Sequence, residues 1–360
     1  MSKVNTAFQA TRLLEGKTLR QWRMAQALCW LTGFGIFVAL IAFPQWGVVA
    51  FWNILIPLAP AIFVLATGVW RNICPLGTVS LLPRHWGISK SGRLPLQWQG
   101  RLHLAAVGLL LLIIPLRHIW LNTNGPATAG LLAFLALLAF ASGYFFEWKS
   151  GWCSSLCPVH PVERLYGSKV LFSPPNAHCG QCHNCVIPCP DSTPGMNPSL
   201  AKMRRSQRIA GCLLIGGLPG YIWGWFHVPD FSSGIESWRH LPEAYAWPLA
   251  GMTVTIALYW LINRYGSMTW NSLLPGVFAA AAVGCYYWYR IPSLLGFGLF
   301  PGDGMLLDLR STLPFWSILI LQLISTVFFA WWIVWRRPDP AVWAVRPPFE
   351  KVTAKTSKTS

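Results

Sequence analysis

Apolar residues run along this chain in blocks of about twenty, rather than in the alternating or three-to-four spacing of a soluble domain. Eight segments stand out, at roughly 24–43, 48–70, 102–121, 127–146, 209–228, 248–263, 270–289 and 313–335. Each approaches the length an α-helix needs to cross a bilayer, about 20 residues. The pattern predicts an all-α polytopic membrane protein with about eight transmembrane helices. The third segment carries Arg117 and His118 near its end, and the sixth is short. Five units follow: an N-tail over 1–23, four helices over 24–146, a polar segment over 147–208, four helices over 209–335 and a disordered tail over 336–360.

Composition agrees. Of 360 residues, 54% are hydrophobic and 11% charged, against about a quarter charged in a soluble domain. Too few ionisable side chains remain to cover a globule of this size, and a disordered chain is excluded as well. The net charge of +17 would suggest nucleic acid on a soluble protein, but here its distribution explains it. With eight spans, 24 of the 28 Lys and Arg fall on one side. The other side holds Arg117, Arg239, Arg290 and Arg310. The positive-inside rule then puts both termini and the 147–208 segment in the cytoplasm, with the chain in a bacterial inner membrane. Contact with anionic membrane lipid completes the account, and no nucleic acid is needed. Lys3, Arg12, Lys17, Arg20 and Arg23 precede the first apolar block. No small-residue cleavage site follows that block, so it is expected to be a retained helix.

Three further patterns have an ordinary reading. The 22 tryptophans, among them Trp46, Trp70, Trp120, Trp247, Trp331, Trp332 and Trp335, suit the headgroup layer. Gly216, Gly220 and Gly224 form a seam on the fifth segment, suited to close packing or, more sharply, to a broken-helix site. His103, His118 and His227 suit the interface better than a b-type haem or a quinone head group.

The cysteines do not. Cys179-Gly-Gln-Cys182-His-Asn-Cys185-Val-Ile-Pro-Cys189-Pro190 has the spacing C-x2-C-x2-C-x3-C-P. Three thiolates on such a loop cap three irons of one cubane, while the fourth serves the other cluster in two-cluster ferredoxins. Structural zinc is the weaker reading, and a reducing cytoplasm argues against disulfides. Two more cysteine turns follow hairpins: Arg71-Asn-Ile-Cys74-Pro-Leu-Gly after the second segment, and Trp152-Cys153-Ser-Ser-Leu-Cys157-Pro-Val-His after the fourth. The likeness predicts an internal hairpin repeat. Seven cysteines (74, 153, 157, 179, 182, 185 and 189) therefore share one face, one short of the eight that two [4Fe–4S] clusters require. Three solutions satisfy the count: one cluster is [3Fe–4S] or has an open iron, or a histidine (His160, His178 or His183) completes the set, or one cluster forms alone. Cys29, Cys212 and Cys285 lie inside apolar segments and are expected to act as small hydrophobes.

At these residues the chain resembles the membrane-bound polyferredoxin-like proteins that accompany periplasmic nitrate reductase, nitrous oxide reductase and methylamine dehydrogenase (the NapH, NosR and MauN type), with the related cytochrome oxidase accessory proteins. Cys153/Cys157-Pro158 matches that family's membrane motif, and Cys179–Pro190 its ferredoxin motif. Cys74-Pro75-Leu-Gly77 matches the end of the first membrane motif, where Trp70 replaces the leading cysteine. The resemblance covers about residues 24–200, and no second ferredoxin motif is present. It implies a small ferredoxin-like iron–sulfur segment on the cytoplasmic side of a helical membrane protein. Such a chain is a redox-active electron carrier rather than a stand-alone catalyst, passing single electrons between the quinone pool or a cytoplasmic donor and a partner redox enzyme. The alternative is an accessory factor that uses its clusters to reduce or load a partner's metal site. Arg71, Lys149, Arg164 and Lys169 are candidates to stabilise the charge of a reduced cluster.

Overall fold

The structure, a computed structural model, describes residues 16–92, 94–146, 151–169, 177–178, 204–231 and 234–336. It is all-α, as the apolar blocks predict, and the described residues form no strand; the single bridge joins Gly92 and Phe146. The first half contains α1 (Gly16–Ala42), α2 (Pro44–Leu65), short α3 (Thr67–Ile73) and α4 (Pro75–His85), then α5 (Gln97–Leu121) and α6 (Gly125–Phe145). A wide turn over Trp152–Leu156 and α7 (His160–Tyr166) follow. The second half contains α8 (Arg205–Gly216), α9 (Leu218–Phe226), α10 (Glu236–Tyr265), α11 (Met268–Leu294) and α12 (Phe315–Trp335).

Six of these helices, α1, α2, α5, α6, α10 and α12, are long and apolar enough to cross a membrane. The pair α8 and α9 makes a seventh if counted as one span bent by 49°. The seventh apolar segment lies in α11, which is outside that set among the described residues. Its 27 residues span about 40 Å at 1.5 Å per residue, so length is not what it lacks. Instead it supplies the middle of the largest core cluster, with Phe278, Ala279, Ala282, Val283 and Tyr287 buried against Phe63, Ile222 and Phe329. A helix surrounded by protein need not present apolar residues all round to lipid. At the N-terminus, α1 begins at Gly16, so Lys17, Arg20 and Arg23 lie on the helix rather than in a tail.

The breaks follow from local chemistry. Phe43 leaves the helical region just before Pro44, whose fixed φ suits the first turn of α2. The Asn124 side chain caps α6, its Oδ1 accepting from the Ala127 N–H at 2.9 Å. Trp46, Trp120, Trp247, Trp331 and Trp335 are exposed, as membrane-interface residues would be. Trp332 is buried and Trp70 packs edge-on against Phe63, so these two are core residues, not anchors.

The glycine seam of the fifth segment packs closely, as the first reading expects. The helix bends between α8 and α9, and its glycines also meet α10 at close range. Gly216 lies against Tyr259, Gly220 against Gly251, and Gly224 against the Trp247 carbonyl. A Cβ on Gly220 would collide with the Gly251 backbone, and the reverse holds too. Gly220→Ala should therefore force the helices apart and cost about 1–3 kcal/mol, read as reduced resistance of the purified protein to unfolding. Gly35→Ala, where a Cβ meets nothing within 4 Å, should be nearly neutral.

Candidate metal centre

Cys74 and Cys157 occupy equivalent turns. Each ends a helical turn and precedes proline, with nearly the same backbone: φ −53°, ψ 120° at Cys74 and φ −67°, ψ 116° at Cys157; Cys74 also caps α4, whereas α7 begins three residues beyond Cys157 and is capped by Val159. The sulfur of Cys74 receives the backbone N–H groups of Leu76 and Gly77, and that of Cys157 those of Val159 and His160. In both turns the donors stand two and three residues downstream, where the first free N–H groups of a helix point at an anion. The turns differ upstream. The Cys74 N–H bonds the Trp70 carbonyl at 2.8 Å, whereas the Cys157 N–H reaches one residue further, to Trp152 at 3.0 Å. The wider turn holds Cys153; the narrower one holds Trp70, pointed into the core.

Cys153 and Cys157 pack together in a cluster with Leu76 and Val79 of α4, and the three sulfurs are near enough to affect one another's ionisation. Burial pushes the Cys74 thiol up to about 12, and nearby Cys153 and Glu163 push the same way. Burial raises the Cys157 thiol too, assisted by Cys153 and Cys74. Three sulfurs so placed fit thiolate ligation, because a bound metal supplies the positive charge that makes such thiols ionise. Among the described residues, no three His, Cys, Asp or Glu side chains are close enough to hold a single metal ion. A cluster spreads its ligands over several irons and has no need of that spacing.

The ferredoxin-type motif, Cys179, Cys182, Cys185 and Cys189, lies outside the described residues, as do His183 and Lys149. The two residues that lead into it are described, and both are buried. The Ala177 N–H donates to Asn72 Oδ1 at 2.6 Å. His178 Nε2 lies 3.1 Å from the Asn72 carbonyl, which also accepts from Gln26 Nε2 at 2.8 Å. Asn72 Nδ2 donates to the Gly68 carbonyl at 3.0 Å. One asparagine, two residues before Cys74, thus joins α1, α3 and the chain entering Cys179.

A second buried network backs Cys157. Glu163 accepts from Arg71 and stands 3.2 Å from His160 Nδ1. Burial alone would raise its carboxyl, but Arg71 and His160 outweigh that and hold it at about 2. Arg71 is thereby paired with a carboxylate. Burial lowers His160 to about 4 against the pull of Glu163, so its imidazole is neutral at pH 7. With Nδ1–H directed at Glu163, the lone pair is on Nε2, the carboxylate–histidine arrangement usual for metal-ligating histidines. Further on, Lys169 Nζ donates to the Val334 carbonyl at 2.8 Å, and its own carbonyl accepts from Trp332 Nε1 at 2.8 Å.

Sequence reasoning missed Asn72 and Gln26. The available signal was an amide at the end of an apolar segment and another within one. The haem reading fares poorly, because both nitrogens of His118 face oxygen atoms: Asp230 Oδ1 at 2.7 Å and the Trp225 carbonyl at 3.0 Å. Comparison with known proteins gave no match: no family model, no curated protein and no solved structure is similar to the chain.

Two outcomes are expected. Asn72→Ala should leave the Ala177 amide without its Asn72 acceptor, so that hydrogen exchange there speeds up by about fivefold to a hundredfold, as loss of a buried hydrogen bond of about 1–3 kcal/mol implies. Glu163→Gln removes the charge paired with Arg71 and His160 and should cost about 3–5 kcal/mol at pH 7. The Glu163 carboxyl lies below its ordinary 4.5. Its stabilisation is therefore complete above that pH and fades as pH falls toward 2, which unfolding measured from pH 8 to pH 3 checks.

Proposed function

We propose that this chain is a membrane-bound iron–sulfur electron carrier of the polyferredoxin-like type, set in a bacterial inner membrane with both termini and the cysteines on the cytoplasmic side. The observation that supports it most is the Asn72 anchor. It fixes the residue before Cys179 beside Cys74, and the sulfurs of Cys74, Cys153 and Cys157 are gathered at the same end of the bundle. Cys74, Cys153, Cys157, Cys179, Cys182, Cys185 and Cys189 would hold one [4Fe–4S] cluster and a second. Among the described residues, His160 is the side chain best arranged to be the missing ligand.

Bound clusters would supply one-electron chemistry. The chain's own part is to hold sulfurs at helix N-termini, where N–H donors favour negative charge, and to surround them with Trp152, Leu135 and Ala139, which exclude water. Exposed apolar faces on α1, α10 and α12 meet lipid. The quinone pool or a cytoplasmic donor would deliver electrons, and a partner redox protein would accept them.

Iron and acid-labile sulfide per chain, with EPR of the reduced protein, test this reading. Reducible iron–sulfur signals are expected, and Cys74→Ser and Cys189→Ser should each remove or alter one signal while another survives. Absence of acid-labile sulfide from anaerobically purified protein would sink it. His160→Cys should keep the iron content and lower one midpoint potential, since histidine in place of cysteine raises the potential of a cluster. An unchanged potential removes His160 from the ligand set.

A further inference from the structure

One buried histidine near the cysteine turns belongs to neither network described above. His103 lies near the start of α5, where its sequence position suits a membrane interface. The structure buries it instead: the residue is 8% exposed, and its Nε2 has no hydrogen-bond partner among the described residues. Three residues earlier, Gly100 packs against Ser206 and Gln207 at the start of α8. One turn later, on the same face of the helix, Val107 is buried with Ala210 and Leu214 of α8, and Val162 of α7 packs on that cluster. Leu109 of α5 packs on the cluster that contains Trp152 and Cys157. Helix α5 thus lies against the Trp152–Leu156 turn as well as α8.

His103 is also near enough to His160 that charge on one ring is felt at the other. His160 begins α7, and its backbone N–H donates to the Cys157 sulfur. The His103 imidazole is therefore a neighbour of the turn that presents Cys153 and Cys157. An imidazole nitrogen buried without a partner is costly, so its site calls for a group that completes it. Metal-bound thiolates and the sulfides of a cluster are negatively charged and carry no proton, so they accept hydrogen bonds and donate none. A lone pair on Nε2 has no iron left to serve, since seven cysteines and His160 already make eight ligands. The complementary role is that of a donor, with the proton of the neutral ring on Nε2.

We infer that His103 donates a hydrogen bond from Nε2 to a sulfur of the iron–sulfur cluster bound at the Cys153/Cys157 turn, and so raises that cluster's reduction potential. This role rests on the iron–sulfur reading above, in which those two cysteines are ligands. A reduced cluster carries one more negative charge than an oxidised one, so an N–H fixed at its sulfur favours the reduced state. The donor comes from α5, a helix that contributes no cysteine to the ligand set.

The test is an EPR-monitored redox titration of the full-length protein in detergent, beside His103→Leu and His103→Gln. His103→Leu removes the donor and should shift one cluster's equilibrium against reduction about tenfold or more, which is about 59 mV for one electron. His103→Gln puts an amide N–H near the place of Nε2 and should stay within about threefold of the wild type. Pulsed EPR of the reduced wild type, labelled with nitrogen-15 histidine, should show a weak imidazole coupling, far smaller than that of a ligating histidine. That coupling should vanish in His103→Gln, and it decides the matter even if His103→Leu assembles no cluster. Unchanged potentials in His103→Leu, equal shifts in both variants, or a weak coupling that is absent from the wild type or survives in His103→Gln would each overturn the donor role and leave the iron–sulfur reading standing. A strong coupling lost in His103→Gln would make His103 a ligand and overturn the donor role as well. Wild-type protein without acid-labile sulfide overturns both.

Discussion

Asn72 offers one acceptor and two donors on its side chain and a carbonyl on its backbone, and the surroundings use both oxygens and the amide nitrogen. Gln26 reaches its carbonyl from α1, Gly68 holds its amide within α3, and Ala177 and His178 bring in the chain that leads to Cys179. Beside the apolar contacts between helices, these are directional bonds at fixed distances. An apolar seam tolerates sliding by a fraction of a turn, and an asparagine bonded on three sides does not. The position of Cys74 relative to Cys179 is therefore set by hydrogen bonds, while the relative position of the large helices is set by packing.

The two cysteine turns show how similar sequence produces similar geometry and where it stops doing so. Each Cys-Pro turn gives its sulfur backbone donors two and three residues on, at the start of α4 in one case and at the lead into α7 in the other. The upstream residues differ, and the turn widens by one residue where Cys153 stands. Trp70 in the narrower turn fills core volume beside Phe63, so the first turn presents one sulfur and the second presents two.

Much of this architecture was legible beforehand. Blocks of about twenty apolar residues mark helices because lipid leaves the backbone no other partner, and the glycine spacing of α8 and α9 announced a close approach. The 270–289 block also marks a helix, α11, but its reading as a span departs from the structure, where this helix is largely enclosed by protein and falls outside the set apolar enough to cross a membrane. Its Arg290 counted as one of four cations on the sparsely charged side, yet it is buried and bonded to Trp52 and Asn53 from α2. Pairings such as Arg71 with Glu163, or Asn72 with Ala177, join residues some ninety to a hundred positions apart. No local pattern encodes them, because a single polar residue in an apolar context says that a partner exists without saying which.

The hydrogen bonds around Lys169 bear on how the protein is made. The segment just after Cys157 and α7 is held by Trp332, Val334 and Arg336, at the end of the last helix. Near Cys74 the contacts come instead from Gln26 on the first helix. During synthesis, therefore, the first cysteine turn can acquire its partners early, whereas the region behind the second stays incomplete until α12 has been inserted. Truncation just before α12 would leave every cysteine in the chain and remove that closure, so the order of insertion delays the finished site until nearly all of the chain has emerged.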